Sequence, residues 1–236
     1  MKKIIHLSNT RGEANHGWLK SYHSFSFANY FNPERMNFGK LRVFNDDEVS
    51  AGKGFGKHPH QNMEIISIPL SGDLEHQDTM GNTTLIKEGD IQVMSAGTGV
   101  MHSEYNKSPE KDVKFLQIWV IPKEENVSPR YHQISTLELK KENELYQILS
   151  PFKEDSGVWI HQNAWFSRGD FTQETSITYK LKDNKNGVYI FVLEGSLNVE
   201  SEKINARDAI GIWETQEFCL TAQAGAQVLF MEVPME

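Results

Sequence analysis

An all-β fold of two similar barrels in tandem is the architecture that three features of the sequence predict. The first is a series of short apolar, β-branched or aromatic runs broken by glycine: "EIISIPLSGDLEHQD", "IKEGDIQVMSAGTG", "VKFLQIWVIP", "GVYIFVLEGSLNVES", "DAIGIW" and "AQVLFMEVP". Their spacing is that of strands joined by tight turns in a sandwich or barrel. The second is the scarcity of helical periodicity. The best helix candidate, "STLELKKENE" at 135–144, is polar and charged. The third is an internal repeat. "LSGDL" at 70–74 resembles "LEGSL" at 193–197, "KEGDIQVM" corresponds to "NARDAIGIW", and "KFLQIWVIP" corresponds to "QVLFMEVP".

The repeat divides the chain into domains 1–128 and 129–236. The boundary falls in "PKEENVSPRYHQ", where prolines and charges interrupt the strand pattern. The strand near Val228 is expected at a sheet edge, where it would be free to pair across a homodimer; a monomer fits the sequence equally well.

Composition excludes several classes of function. The 236 residues carry a net charge of −8, and no basic cluster is present to face a phosphate backbone, so direct nucleic-acid binding is not expected. The single cysteine, Cys219, rules out an intramolecular disulfide, fits a reducing compartment, and reads as a small hydrophobe in an apolar strand. The N-terminal "MKKIIHLSNTRG" has too short an apolar run for a signal peptide, and no stretch reaches the length of a membrane span. A soluble, cytoplasmic protein is the expectation.

Chemistry concentrates in two short stretches. In "GKHPHQNMEI", His58 and His60 lie two apart and so face one side of an extended segment, as would Glu64 if the strand ran on unbroken. In "GTGVMHSEYN", His102 and Glu104 repeat that spacing after glycines 97 and 99. Either pair alone is compatible with an ordinary loop. Folded into one barrel, the two converge as three imidazoles and a carboxylate, a donor set that suits Fe, Mn, Co, Ni, Cu or Zn and leaves positions for water, substrate or dioxygen.

These stretches carry a family resemblance. "G-x5-H-x-H-x3-E-x7-G" over 52–72 and "G-x-G-x2-H-x3-N" over 97–106 resemble the two cupin motifs, with Gly97 where cupins usually have proline. More narrowly, "HPHQNMEI", "GDIQVMSAGTGVMHSE", "YHSFSFANYF" and "FGKLRVFNDDEV" resemble the pirin family of bicupins, whose fold is two tandem double-stranded β-helix (jelly-roll) barrels. The resemblance implies one divalent metal per chain, Fe(II) first among the candidates, held in the N-terminal cupin by His58, His60, His102 and Glu104. It gives Glu64 a supporting or structural role, since ligand histidines need acceptors for their second ring N–H. It also implies a quercetin 2,3-dioxygenase-like activity. Flavonols would be opened by O2 with release of carbon monoxide, and Glu104 would be the base for the flavonol 3-hydroxyl. A second implication, from another class, is a metal-dependent regulatory protein acting through a protein partner such as a transcription regulator.

The second repeat lacks the site. Counting back from Gly195 as from Gly72 places Leu181 and Asp183 in the slots of His58 and His60, and no histidine follows His161. The C-terminal barrel is therefore expected to be structural, or to offer a surface for partners or a lid. Elsewhere, His76 reads as a surface or supporting residue; Phe115, Ile118 and Trp119 as core, with room for one of them to line the pocket; His23 as packed against aromatics or covering the barrel mouth; and His161 as structural beside an aromatic cluster.

Overall fold

The computed structural model describes residues 1–236, in 22 strands and a single 3-10 turn at Ser8–Thr10. The strands form two pairs of sheets, each pair one barrel, antiparallel throughout except for the parallel pairing of 145–150 with 158–159. In the first barrel a seven-stranded sheet contains, in spatial order, 130–135, 90–95, 64–71, 113–120, 41–49, 19–23 and 12–15; a four-stranded sheet of 54–60, 100–105, 74–78 and 83–86 faces it. The second barrel repeats the plan. Its seven-stranded sheet runs 2–6, 209–213, 186–194, 227–234, 165–170, 145–150 and 158–159, opposite a sheet of 175–180, 217–222, 196–199 and 202–205. The predicted double-stranded β-helix bicupin is the fold observed.

Two strands pair outside the half of the chain in which they lie. Lys2–His6 adds to Ala209–Trp213 of the second barrel, and Arg130–Ser135 adds to Asp90–Ser95 of the first. Barrel membership thus changes twice along the chain: residues 2–6 belong to the second barrel, 12–135 to the first, and 145–234 to the second. The strand Gln227–Pro234, expected at an edge, is interior: it pairs with 186–194 on one side and 165–170 on the other. The weak helix candidate at 135–144 forms no helix: Ser135 ends a strand and turns follow, because that polar segment offers no apolar stripe to bury. Thr136 instead donates both its backbone N–H and its hydroxyl to the carbonyl of Gly89.

The cores explain how the barrels differ. The outer faces of the two large sheets pack on each other through a shared cluster that includes Phe44, Ile66, Ile118, Phe166, Phe191 and Leu229. The lumen of the second barrel is filled by a cluster including Tyr179, Ile190, Phe218, Leu220 and Phe230. The first barrel has only two small lumenal clusters, one around Phe115 and one around Met94. The rest of its lumen is polar: Ser21, His23, Asn45, Asp47, Ser67, His76, His102, Glu104 and Gln117 are all buried there. Burying that many polar groups is costly unless they are bonded or used. Cys219 is solvent-exposed, on the outward face of its strand. No helix is long and apolar enough to cross a membrane.

Candidate metal centre

The strand Gly54–His60 pairs with Val100–Tyr105 so that His58 lies opposite His102. A register shift follows, with Glu104 opposite Phe55, so the first strand carries one extra residue near Gly56. Such a bulge bends a strand and re-aims its side chains. Here Gly56 contributes its carbonyl oxygen to His58 Nδ1 at 2.7 Å. With that nitrogen donating, the lone pair of His58 lies on Nε2. Gly54 permits the close approach of the two strands, since a Cβ there would overlap the carbonyl oxygen of Glu104.

His58, His60 and His102 converge, with one ring nitrogen from each lying within 4.8 Å of the others. The ring centroids are 4.4 to 4.9 Å apart. His102 is buried and its Nε2 has no hydrogen-bond partner. An orphaned buried imidazole nitrogen facing two others is the arrangement a metal ion completes. Burial, then the neighbouring imidazoles, lowers the pKa of His60 to about 4 and that of His102 to about 3. Both are therefore neutral and able to donate a lone pair at physiological pH.

Glu104 belongs to a second triad, with His76 and His102, that shares one imidazole with the first. It is fully buried. Its Oε1 accepts from Ser67 Oγ at 2.9 Å and its Oε2 from Gln117 Nε2 at 3.4 Å. His76, expected as a surface or supporting residue, is also fully buried and lies behind His102. Its Nδ1 is 3.5 Å from His102 Nδ1, and its Nε2 is 3.0 Å from Asp78 Oδ2. Burial would raise the Asp78 pKa, but hydrogen bonds from His76 and Asn82 hold it below the ordinary carboxylate value. A fixed carboxylate then requires His76 Nε2–H, leaving His76 Nδ1 to accept His102 Nδ1–H. That tautomer presents the bare Nε2 of His102 to the triad.

Glu64 belongs to neither triad. The chain breaks out of strand conformation at 61–63, where Asn62 adopts φ +48°, so the alternation that aligned Glu64 with the histidines is lost. Its carboxylate faces the seam between the barrels, where Oε2 accepts from Ser95 Oγ at 2.7 Å, near Arg130 and the backbone of His161. Trp119 lines a pocket over His58 and His60, while Phe115 and Ile118 are core as expected.

A pocket of about 410 Å³ opens over His58 and His60, walled by Trp18, Phe27, Phe55 and Trp119 and floored by Ser21, His23, Asp47 and Gln117. Sequence reasoning missed Ser21, Asp47 and Gln117, because a single polar side chain in a strand carries no motif. A cleft of about 350 Å³ between the barrels is less suited to chemistry: Lys140, Arg168 and Arg207 there are matched by Glu88, Asp170 and Glu194. In the second barrel, Ile177 and Tyr179 occupy the strand positions facing Leu220 and Phe218. Leu181 and Asp183 follow the end of that strand, so the spacing from Gly195 overestimates their correspondence to His58 and His60.

Comparison with known proteins agrees with this architecture. The pirin family model matches residues 5–120, and the model described as the quercetinase C-terminal cupin domain matches residues 147–233. The chain is 40% identical over 227 residues to a quercetin 2,3-dioxygenase of Escherichia coli K12, covering 96% of each. It is 36% identical over 222 residues to a pirin-like protein of Caulobacter vibrioides, covering 94% of this chain and 95% of the relative. The crystal structure of the bacterial pirin YhhW from Escherichia coli in complex with nickel(II) aligns with a TM-score of 0.93 at 38% identity, over 99% of both chains. The chain belongs to the pirin family, and its two barrels are that family's two cupin domains.

Proposed function

We propose that this protein is a metal-dependent dioxygenase of pirin type that opens flavonols such as quercetin with O2 and releases carbon monoxide. The observation that carries this reading is the triad of converging imidazoles, two of which, His58 and His60, line an aromatic-walled pocket of about 410 Å³. That is room for a planar polyphenol with one edge on the triad. His58, His60 and His102 would hold the ion through their free ring nitrogens, with Glu104 as the fourth ligand beside His102. The donor set accepts Fe(II) as its resident ion and also Mn, Co, Ni, Cu or Zn. Nickel(II) is the ion bound by the YhhW relative. When bound, the ion supplies a Lewis acid and open positions for the substrate oxygen and dioxygen.

The residues of this chain provide the rest. Trp18, Phe27, Phe55 and Trp119 give flat apolar faces on which aromatic rings stack edge-on or offset. Their walls exclude water from a reaction that passes through a reactive carbanion-like ring. His60 packs edge-on to Trp119 with centroids 4.9 Å apart, tying the position of a ligand to the pocket wall.

The test is anaerobic reconstitution with Fe(II), or nickel(II) in parallel, followed by quercetin in air with carbon monoxide release as the readout. The native protein should release carbon monoxide; His58→Ala, with its metal content measured, should not. A fully loaded native protein that releases none with any of the metals would overturn the reading.

A further inference from the structure

The carboxylate that faces the substrate pocket is Asp47, while Glu104 sits behind the imidazoles with both oxygens engaged. Asp47 lies on the strand Leu41–Val49, opposite Ser21 on one side and Phe115 on the other. It points into the lumen with Asn45, two residues away on the same face. It is buried, with an exposure of 3%, and forms no salt bridge. Its one side-chain hydrogen bond is donated by Ser21 Oγ to Oδ1. Oδ2 accepts nothing from the protein and is not sealed from the pocket. A buried carboxylate with no cation and one free oxygen is expensive to keep, and in a pocket it is the arrangement expected of a group that exchanges protons.

We propose that Asp47, through Oδ2, is the base that takes the proton from the substrate hydroxyl, leaving Glu104 as a metal ligand only. This rests on the flavonol reading above. The hydroxyl O–H bond breaks, an H–Oδ2 bond forms on Asp47, and the electron pair stays on the flavonol oxygen. After dioxygen has cleaved the ring, the proton returns to the carboxylate of the departing product, so the enzyme ends as it began. Ser21 holds Oδ1 and so fixes the direction of Oδ2.

The surroundings of Asp47 fit the role. Burial first, then the charges of Asp46 and Glu104, raise its pKa to about 7 against the lowering effect of Ser21. A base poised near the working pH is the most effective proton acceptor. The titratable groups around it are Asp46 on its own strand, His23 from the strand Leu19–His23, Glu104 from the strand Val100–Tyr105, and His58 from the strand Gly54–His60. Burial lowers the pKa of His23 to about 4, so it adds no charge there at neutral pH. Two nearby carboxylates, one poised to protonate and one fully engaged, divide the work as acid–base pairs commonly do.

The experiment is an anaerobic titration of quercetin into nickel(II)-loaded protein, read by the red-shifted absorbance band of the ionised flavonol, with metal content assayed. Native protein and Glu104→Gln should both show the ionised band. Asp47→Asn should bind flavonol in its neutral form and lose about 10²–10⁴-fold in carbon monoxide release. Asp47→Glu should restore part of the band. If Asp47→Asn does not fold, Ser21→Ala provides the second arm: without the hydroxyl, Asp47 holds the proton more tightly, and the pH of half-ionisation of the flavonol should move downward. Equal ionisation by native and Asp47→Asn proteins, an unmoved midpoint in Ser21→Ala, a neutral flavonol on the native protein, or loss of the band in Glu104→Gln at full metal loading would each overturn the assignment. Ionised flavonol without carbon monoxide would sink the dioxygenase reading while leaving Asp47 as the base.

Discussion

At the residue scale the site depends on which nitrogen of each imidazole carries a proton. His58 is fixed by the Gly56 carbonyl, and His102 by the chain of contacts through His76 to Asp78. Removing such a support commonly costs 10–100-fold in metal affinity. His76→Gln and Asp78→Asn should therefore weaken binding of nickel(II) about 10–100-fold in a chelator competition, with little change in far-UV circular dichroism. Unchanged affinity in both would mean that His102 holds its tautomer unaided. The buried imidazoles also set how stability varies with pH. In the metal-free protein His6, His23 and His60 have pKa values of about 4 and His102 of about 3, all lowered first by burial. Unfolded, each would titrate near 6.5, so below that pH the unfolded chain binds protons that the folded chain refuses, and stability falls as pH drops. Asp47 and Glu64, raised to about 7 by burial, act the other way. The folded chain keeps their protons where the unfolded chain has released them, so their contribution declines as pH rises from about 4 to about 7. Four imidazoles outweigh two carboxyls. The urea midpoint of the metal-free protein should rise between about pH 4.5 and 6.5, and a falling midpoint would contradict these assignments.

At the scale of elements, backbone features aim the imidazoles of the triad. The bulge near Gly56 turns His58 toward His102, and the glycine turn at 97–99 delivers the strand that carries His102 and Glu104. Gly97 has φ +46°, and a Cβ there would overlap the carbonyl oxygen of Val127, which itself accepts from the N–H of Thr98. This accounts for glycine where cupins usually carry proline: the connection between the barrels lies against it. Gly97→Ala should destabilise the protein by about 1–3 kcal/mol through strain at a left-handed position and the displaced connection. The measurement is the urea midpoint; a midpoint within error of native would show that the connection yields freely.

At the scale of the whole molecule, the two barrels share a plan and divide its uses. Their large sheets face one another through a single apolar core, so neither sheet is stable in water without the other. The exchange of Lys2–His6 and Arg130–Ser135 stitches the halves further. The second lumen is closed by Tyr179, Phe218, Leu220 and Phe230, and its buried Glu232 is satisfied by Tyr179 Oη, Asn186 Nδ2 and the backbone N–H groups of Lys182 and Asp183. Elemental analysis should give one transition metal per chain. Phe230→Ala should cost about 3–5 kcal/mol and leave the metal content at one; loss of metal in that variant would show that the second core controls the first site.

Much was legible in the sequence because it is local. Alternation and glycine turns predict strands, a repeat predicts two barrels, and two residues of spacing place His58 beside His60 and His102 beside Glu104 on strand faces. Pairing and facing are not local. Strand order put Lys2–His6 on the far barrel, and the break at 61–63 turned Glu64 away from the histidines it follows by four residues. The same packing brought Asp78, His76, Ser21 and Asp47 around the triad from strands that share no motif. The strands, their repetition and the donor types brought together follow from local pattern, because periodicity and side-chain type act within a few residues. Which carboxylate meets the pocket and which lies behind the triad emerges in three dimensions, because that depends on sheet register and on which face of each strand is buried.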